Sequence, residues 1–230
     1  MTAPTAPAPT PAIDQYLGTS VRLLPQTDQL CALHTVIRDR DARREDFVHC
    51  SRRIIRLLLE AGLDLLPFEP HEVRTPTGAA YQGLRFAPGL CGVTVVRAGE
   101  SMEGELRNVC PGIRIGKILI QRDETTKQPR LYYTALPADL ARRHVLLLDP
   151  VMATGGTALS ALRVLTDLGV PEENIVFVNL ITVPEGITAV CEQYPRVRIV
   201  TSAIEERLDE NAWMLPGIGD FGDRYFGTDA

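Results

Sequence analysis

The chain predicts an α/β fold, a parallel sheet flanked by helices, and three observations carry that prediction. Short apolar runs recur at 90–96, at 145–148, where the run is unbroken, and at 175–183, where it is near-continuous, which is how strands buried on both faces read. Each run is followed by a loop and then by apolar residues at helical spacing. Strands alternating with helices at this interval imply crossover connections and a sheet covered on both faces.

The most informative stretch is 144–159. Its strand, 145–148, ends in Asp149; Pro150 stops the ladder, and Val151, Met152 and Ala153 lead to the turn Thr154-Gly155-Gly156-Thr157. A helical pattern, 158–165, follows. Open α/β sheets bind ligands at the carboxyl ends of their strands. There the two glycines let the backbone approach a ligand, and the first N–H groups of the helix, which lack intrahelical partners, suit a phosphate. Thr154 and Thr157 add hydroxyl donors, while Asp149 suits sugar hydroxyls or a metal-bound ligand. A phosphorylated sugar is the expected ligand. The competing structural reading, a tight turn with Thr157 as a helix cap, explains Thr-Gly-Gly-Thr equally well by itself. The buried strand and its terminal acid favour the ligand.

The rest of the chain is consistent with one domain over 14–230 behind a disordered Pro/Ala/Thr tail over 1–13. Residues 27–66 read as two helices, with Gly62 as a stop, around a mixed-charge run at 38–44 that reads as a solvated face. After the strand at 90–96 comes Arg97, suited either to a diphosphate or to a structural salt bridge, and then an amphipathic segment to Val109. Runs at 115–121 and 131–134 form a hairpin whose connection, 122–129, reads as an arm or lid. Gly169 ends the central helix, Pro171 precedes the strand at 175–183, Pro184 opens the next helix, and 197–200 is a further strand. Residues 213–228, glycine-rich around aromatics, read as a shaped loop rather than a helix.

Composition narrows the function classes. At 230 residues, 45% apolar and 23% charged, the chain buries roughly 70% of its unfolded surface without any staple. Five scattered cysteines with no Cys-x-x-Cys pair read as free thiols, and the histidines form no His-Glu-x-x-His, so no resident metal is expected. No apolar stretch is long enough to span a membrane, and the N-terminus lacks the pattern of a signal peptide, which predicts a cytoplasmic protein. A net charge of −5 argues against nucleic-acid binding by charge. Lys117 and Lys127 are the only lysines; compositional bias accounts for the arginine excess more simply than phosphate recognition does. Neither Gly-x-x-x-x-Gly-Lys-Ser/Thr nor Gly-x-Gly-x-x-Gly occurs.

The 149–157 stretch resembles the phosphoribosyl-diphosphate loop of phosphoribosyltransferases, in the Asp-Pro form used by uracil phosphoribosyltransferases. The tail at 216–228 is similar to that family's C-terminal uracil-binding loop. The Arg97-Ala98-Gly99 turn, the Arg122-Asp123 arm with Tyr132-Tyr133 beyond it, and the Pro184-Glu185-Gly186 turn match in order. The resemblance covers about 26–228. It implies a type I phosphoribosyltransferase fold with a β-hairpin arm and a C-terminal base-binding loop. The implied activity is transfer of the phosphoribosyl group of 5-phosphoribosyl 1-diphosphate to uracil, giving UMP and diphosphate in pyrimidine salvage.

By the same resemblance, Arg97 and Arg122 contact the diphosphate and Asp149 the ribose hydroxyls. Pro150, Val151, Met152, Ala153, Thr154, Gly155, Gly156 and Thr157 form the phosphate loop. Met214, Gly219, Asp220 and Phe221 meet uracil, with Asp220 also facing the phosphoribosyl group; Asp149, Arg122 and Asp220 are the implied catalytic residues. Mg²⁺ enters with the diphosphate. A homo-oligomer is implied, with room for a nucleotide effector. Glu100-Ser101 and Phe221 look more like the eukaryotic and uridine-kinase-fused branch than the commonest bacterial forms, and Met214 stands where a smaller aliphatic is usual. The alternatives are a catalytically silent homologue acting as a regulatory or RNA-binding protein, which Asp149, Arg122, Asp220 and the acidic balance oppose, and transfer to another base, which the tail opposes.

Overall fold

The computed structural model describes residues 12–87, 89–122 and 129–228, and of Arg122 and Pro129 the backbone alone. The first strand and helices are β1 (Val21–Leu23), α1 (Asp28–Arg38) and α2 (Arg44–Leu63). A hairpin, β2 (Phe68–Arg74) and β3 (Ala80–Phe86), leads to β4 (Leu90–Val96) and α3 (Glu100–Val109). Next come β5 (Arg114–Arg122), β6 (Pro129–Ala135), β7 (His144–Leu148), β8 (Val151–Met152) and α4 (Gly156–Asp167). The chain continues through β9 (Ile175–Val178), β10 (Ile181–Thr182), α5 (Pro184–Gln193), β11 (Arg198–Thr201) and β12 (Ala203–Ile204). It closes with β13 (Arg207–Leu208), β14 (Met214–Leu215) and α6 (Phe221–Phe226).

Seven strands form the main sheet in the order β1-β11-β9-β7-β4-β5-β6, all pairs parallel except β5 with β6. The expected α/β class is therefore the one observed. The pleat divides two cores. Leu146, Leu148, Val176 and Val178 face the layer of α1, α2 and α3, while Val145, Leu147, Ile175 and Phe177 face α4 and α5. Burial on both faces is what leaves these strands with no polar alternation.

Several expectations need correction. The strand predicted over 175–183 is two strands: Asn179, fully buried, breaks it, donating through Nδ2 to the Asp149 carbonyl at 3.1 Å. Gly62 lies inside α2 rather than ending it; a Cβ there would stand 3.2 Å from Val178, so glycine marks where the helix approaches the sheet. Residues 213–228 contain β14 and the helix α6, which six residues and a polar cap are too short to reveal as a period. The hairpin of β2 and β3 and the edge strand β1 lie outside the strands expected from sequence. Ile13, assigned to the tail, packs against the second core; the rest of the tail, 1–11, and the arm at 123–128 lie outside the described residues. Among the described residues no helix is long and apolar enough to cross a membrane.

Candidate active site

A cavity of about 300 Å³ opens where β4 and β7 end. One wall carries Arg97, Asp149, Val151, Ala153 and Thr157; the other carries Met214, Gly219, Asp220 and Phe221. Nine residues expected at the site, from three segments each more than fifty positions from the next, thus meet in one hollow. A larger groove, about 850 Å³, runs over α2 beside Arg44, Arg52, Arg53 and Arg56. It contains none of the expected residues and no strand end, so the smaller cavity is the candidate.

The phosphate-loop wall is built by the strand-to-helix junction. Gly155 takes φ +81°, a left-handed conformation that glycine adopts without steric cost, and it turns the chain into α4. α5 packs directly beneath: a Cβ on Gly186 would stand 2.5 Å from the Ala153 carbonyl oxygen, which explains the glycine in Pro184-Glu185-Gly186. The first N–H groups of α4 open toward the loop. Pro150 and Met152, expected in the cradle, make contacts that fix the loop to its neighbours. The Pro150 carbonyl accepts from the amides of Leu180 and Ile181, and Met152 is a core side chain whose carbonyl accepts from Thr182 Oγ1 at 3.0 Å. Thr154 is exposed at the turn.

Asp149 is 7% exposed. Burial pushes its carboxyl up to about 7, partly opposed by a hydrogen bond from the Val151 amide. Asn179 fixes its carbonyl and is itself held by Thr201 Oγ1 at 3.2 Å. Among the described residues no cation stands beside this carboxyl, which lines the cavity.

Arg97 reaches the opposite wall. Its guanidinium donates to Asp223 Oδ1 at 2.7 Å and to Thr228 Oγ1 at 2.8 Å, and lies over the Phe226 ring. Of the two roles weighed for this arginine, the salt bridge is the one formed, and it is formed at the rim of the cavity that Arg97 lines. Thr228 and Arg97 together hold the Asp223 carboxyl below its ordinary range. Asp220 caps α6, accepting from the Asp223 amide at 2.9 Å, and Phe221 anchors the loop by packing against Phe47 and Tyr225. Arg122 ends β5, but its side chain lies outside the described residues.

Sequence reasoning missed the residues that clamp the tail. Arg38, read as part of a solvated run, pairs with the buried Glu205 at 2.6 Å. Arg224 stacks on Phe47 at 4.2 Å and donates to the carbonyls of Ile37, Asp39 and Ile218. No local pattern announces these contacts, because partners such as Arg38 and Glu205 are 167 positions apart. Among the described residues no cluster of three or more His, Cys, Asp or Glu is placed to hold a metal ion.

The family model for uracil phosphoribosyltransferase matches residues 24–228. A uracil phosphoribosyltransferase of Dictyostelium discoideum is 56% identical over 210 residues, covering 91% of this chain and 97% of that protein. Its counterpart in Saccharomyces cerevisiae is 53% identical over 207 residues, covering 90% and 96%. Uridine kinase-like protein 3 of Arabidopsis thaliana is 52% identical, over 90% of this chain but 44% of that protein. The solved structure of AQ2163 from Aquifex aeolicus superposes with a TM-score of 0.80 at 28% identity, covering 91% of this chain and 99% of that one. With a family model spanning both walls of the cavity and relatives above half identity along nearly their whole length, this chain belongs to the uracil phosphoribosyltransferase family.

Proposed function

We propose that this protein transfers the phosphoribosyl group of 5-phosphoribosyl 1-diphosphate to uracil, forming UMP and diphosphate. The observation that carries the reading is the pairing, across one cavity of about 300 Å³, of the acid-and-phosphate loop with the glycine-rich tail. Family membership supports the same reaction. A uracil ring nitrogen forms the new bond to the anomeric carbon as that carbon's bond to diphosphate oxygen breaks, and the nitrogen's proton passes to solvent. The transition state is loose and positively charged at the sugar. Such a step depends on aligning the reactants and stabilising the departing charge more than on a strong base.

Each residue then has a task. Backbone N–H groups of 153–157 hold the 5-phosphate, and Asp149 accepts from the ribose hydroxyls. Mg²⁺ arrives as part of the diphosphate substrate and neutralises the leaving group with Arg97 and Arg122. Arg97 exchanges Asp223 for diphosphate oxygens when substrate enters. Backbone groups around Gly219 read the edge of uracil, and Asp220 faces the sugar side. We place the reaction in the cytoplasm and in a homo-oligomer; the exposed Tyr81, Leu84 and Phe86 of the β2–β3 hairpin are a surface such an assembly would cover.

The test is UMP formation from radiolabelled uracil, phosphoribosyl diphosphate and Mg²⁺ by purified protein. UMP that disappears when Mg²⁺ is chelated is the expected result. No UMP together with tight binding of another base would overturn the assignment of substrate, and binding of neither substrate would mark a silent homologue.

A further inference from the structure

The base side of the cavity is tied to the phosphate side through one buried acid. Glu205, 4% exposed, follows β12, and its amide donates to the Thr182 carbonyl at 2.7 Å. Thr182 in turn donates through Oγ1 to the carbonyl of Met152, at the entrance of the phosphate loop. The Glu205 carboxylate accepts both guanidinium arms of Arg38, at 2.6 and 2.7 Å, and also the amide of Gly217. Arg38 completes the ring by donating to the Gly217 carbonyl at 3.2 Å. Both polar groups of Gly217 are therefore held by one ion pair, two residues before Gly219.

Gly217 is where the tail doubles back. Its φ is +72°, and a Cβ would stand 2.2 Å from the Met214 carbonyl oxygen, so the turn that carries Gly219 and Asp220 to the cavity begins there. Glu205 is buried and Arg38 half-buried, and the cost of taking such charges out of water offsets much of their mutual attraction, so the pair is a poor source of net stability. A bidentate fork does fix geometry closely.

We propose that Arg38 and Glu205 are positioning residues that hold the base-reading loop in register with the phosphate loop, so that use of the planar base depends on them more than use of the phosphorylated sugar does. Neither is among the residues that line the cavity. The inference rests on the proposed transfer to uracil for its kinetic readout, but its structural readout is independent of activity.

The test uses the full chain carrying Glu205→Gln or Arg38→Lys, with hydrogen exchange across 213–224 measured beside steady-state kinetics and thermal unfolding. Glu205→Gln should raise exchange at Gly217 and its neighbours and raise the uracil KM about tenfold or more, while the phosphoribosyl-diphosphate KM stays within about twofold. Arg38→Lys keeps the charge but loses the fork, and should give a smaller rise in the same direction. If Glu205→Gln does not fold, Arg38→Lys decides the matter. Folded variants with unchanged exchange over 213–224, or with equal losses for both substrates, would overturn the proposal. If the wild-type protein makes no UMP, the functional reading fails instead, and the exchange pattern still judges the positioning role.

Discussion

Residues 149–157 leave the sheet at the end of β7 and enter α4 at Gly156, held by neighbours that the main chain itself brings close: β10 through the Thr182 hydroxyl and α5 through Gly186. Residues 213–228 face the same cavity but hang from side chains rooted elsewhere, Arg38 at the end of α1, Glu205 after β12, and the Phe47 ring of α2 under Arg224. The first loop is a consequence of strand-to-helix topology. The second is a consequence of long-range side-chain contacts. That difference teaches where each half of the site is vulnerable: the phosphate half to anything that blocks backbone approach, the base half to anything that loosens its clamps.

Each loop should fail in its own way when its own support is damaged. Gly156→Val sets a side chain at the start of α4, where bare backbone is to meet the phosphate, and should lower phosphoribosyl-diphosphate affinity by about 100-fold or more while circular dichroism stays native. Unchanged affinity by calorimetry in the folded variant would place the cradle elsewhere. Gly219→Val is the counterpart. Gly219 has φ +71°, so a β-branched residue is strained there by roughly 1–2 kcal/mol and also crowds the base. The uracil KM should rise about tenfold or more with phosphoribosyl-diphosphate affinity retained. Parallel loss of both substrates would mean that this turn only closes the domain.

Asp149→Asn sharpens the contrast from the phosphate side. The variant should retain phosphoribosyl-diphosphate binding at reduced affinity and lose about tenfold or more in turnover, through loss of a charged acceptor. It should also change the pH dependence of stability. Burial raises the carboxyl from an ordinary 3.8 to about 7, so the native state holds its proton to higher pH than the unfolded chain does. This group's contribution is therefore most favourable below about pH 4 and declines as pH rises through about 7. Asparagine removes that decline. Melting temperatures of wild-type and variant protein, both ligand-free, should diverge in the variant's favour between pH 4 and 7; parallel curves would contradict the buried setting of this acid. The smallest effect belongs to Asp223→Asn, which releases Arg97 from an exposed partner. Phosphoribosyl-diphosphate affinity should stay equal or improve, by no more than about fivefold. A large loss would show that Asp223 holds Arg97 in place rather than competing with the diphosphate.

Legibility followed the range of the interactions. The runs at 90–96 and 145–148 read directly as buried strands because both faces of the sheet are covered. The loop after β7 read as a ligand cradle because its glycines, acid and helix start lie within nine residues. Asn179, a lone amide inside an apolar run, was a visible sign that 175–183 is not one strand; its meaning emerged only once its partners Asp149 and Thr201 were in view. Asp220 three residues before Asp223 carried a capping signal for α6, outweighed by the surrounding glycines. The hairpin of β2 and β3 went unread because its strands are mostly exposed and lack a buried stripe.

The α/β class, the order of the main strands and helices, the strand-to-helix turn at 149–157 and, through ordered resemblance, the family are legible in the sequence alone. These are encoded in periods and turns a few residues long, where steric preference and burial act locally. Long-range contacts settle which cavity joins the two loops, that Arg97 rests on Asp223, and that Arg38, half-buried, pairs with a buried Glu205 instead of facing solvent alone. An ion pair across 167 positions leaves no periodic trace in either neighbourhood, because each partner's environment is assembled by other segments of the chain. The physical reason is that a charge is recognisable as buried only when the surfaces that bury it have come together.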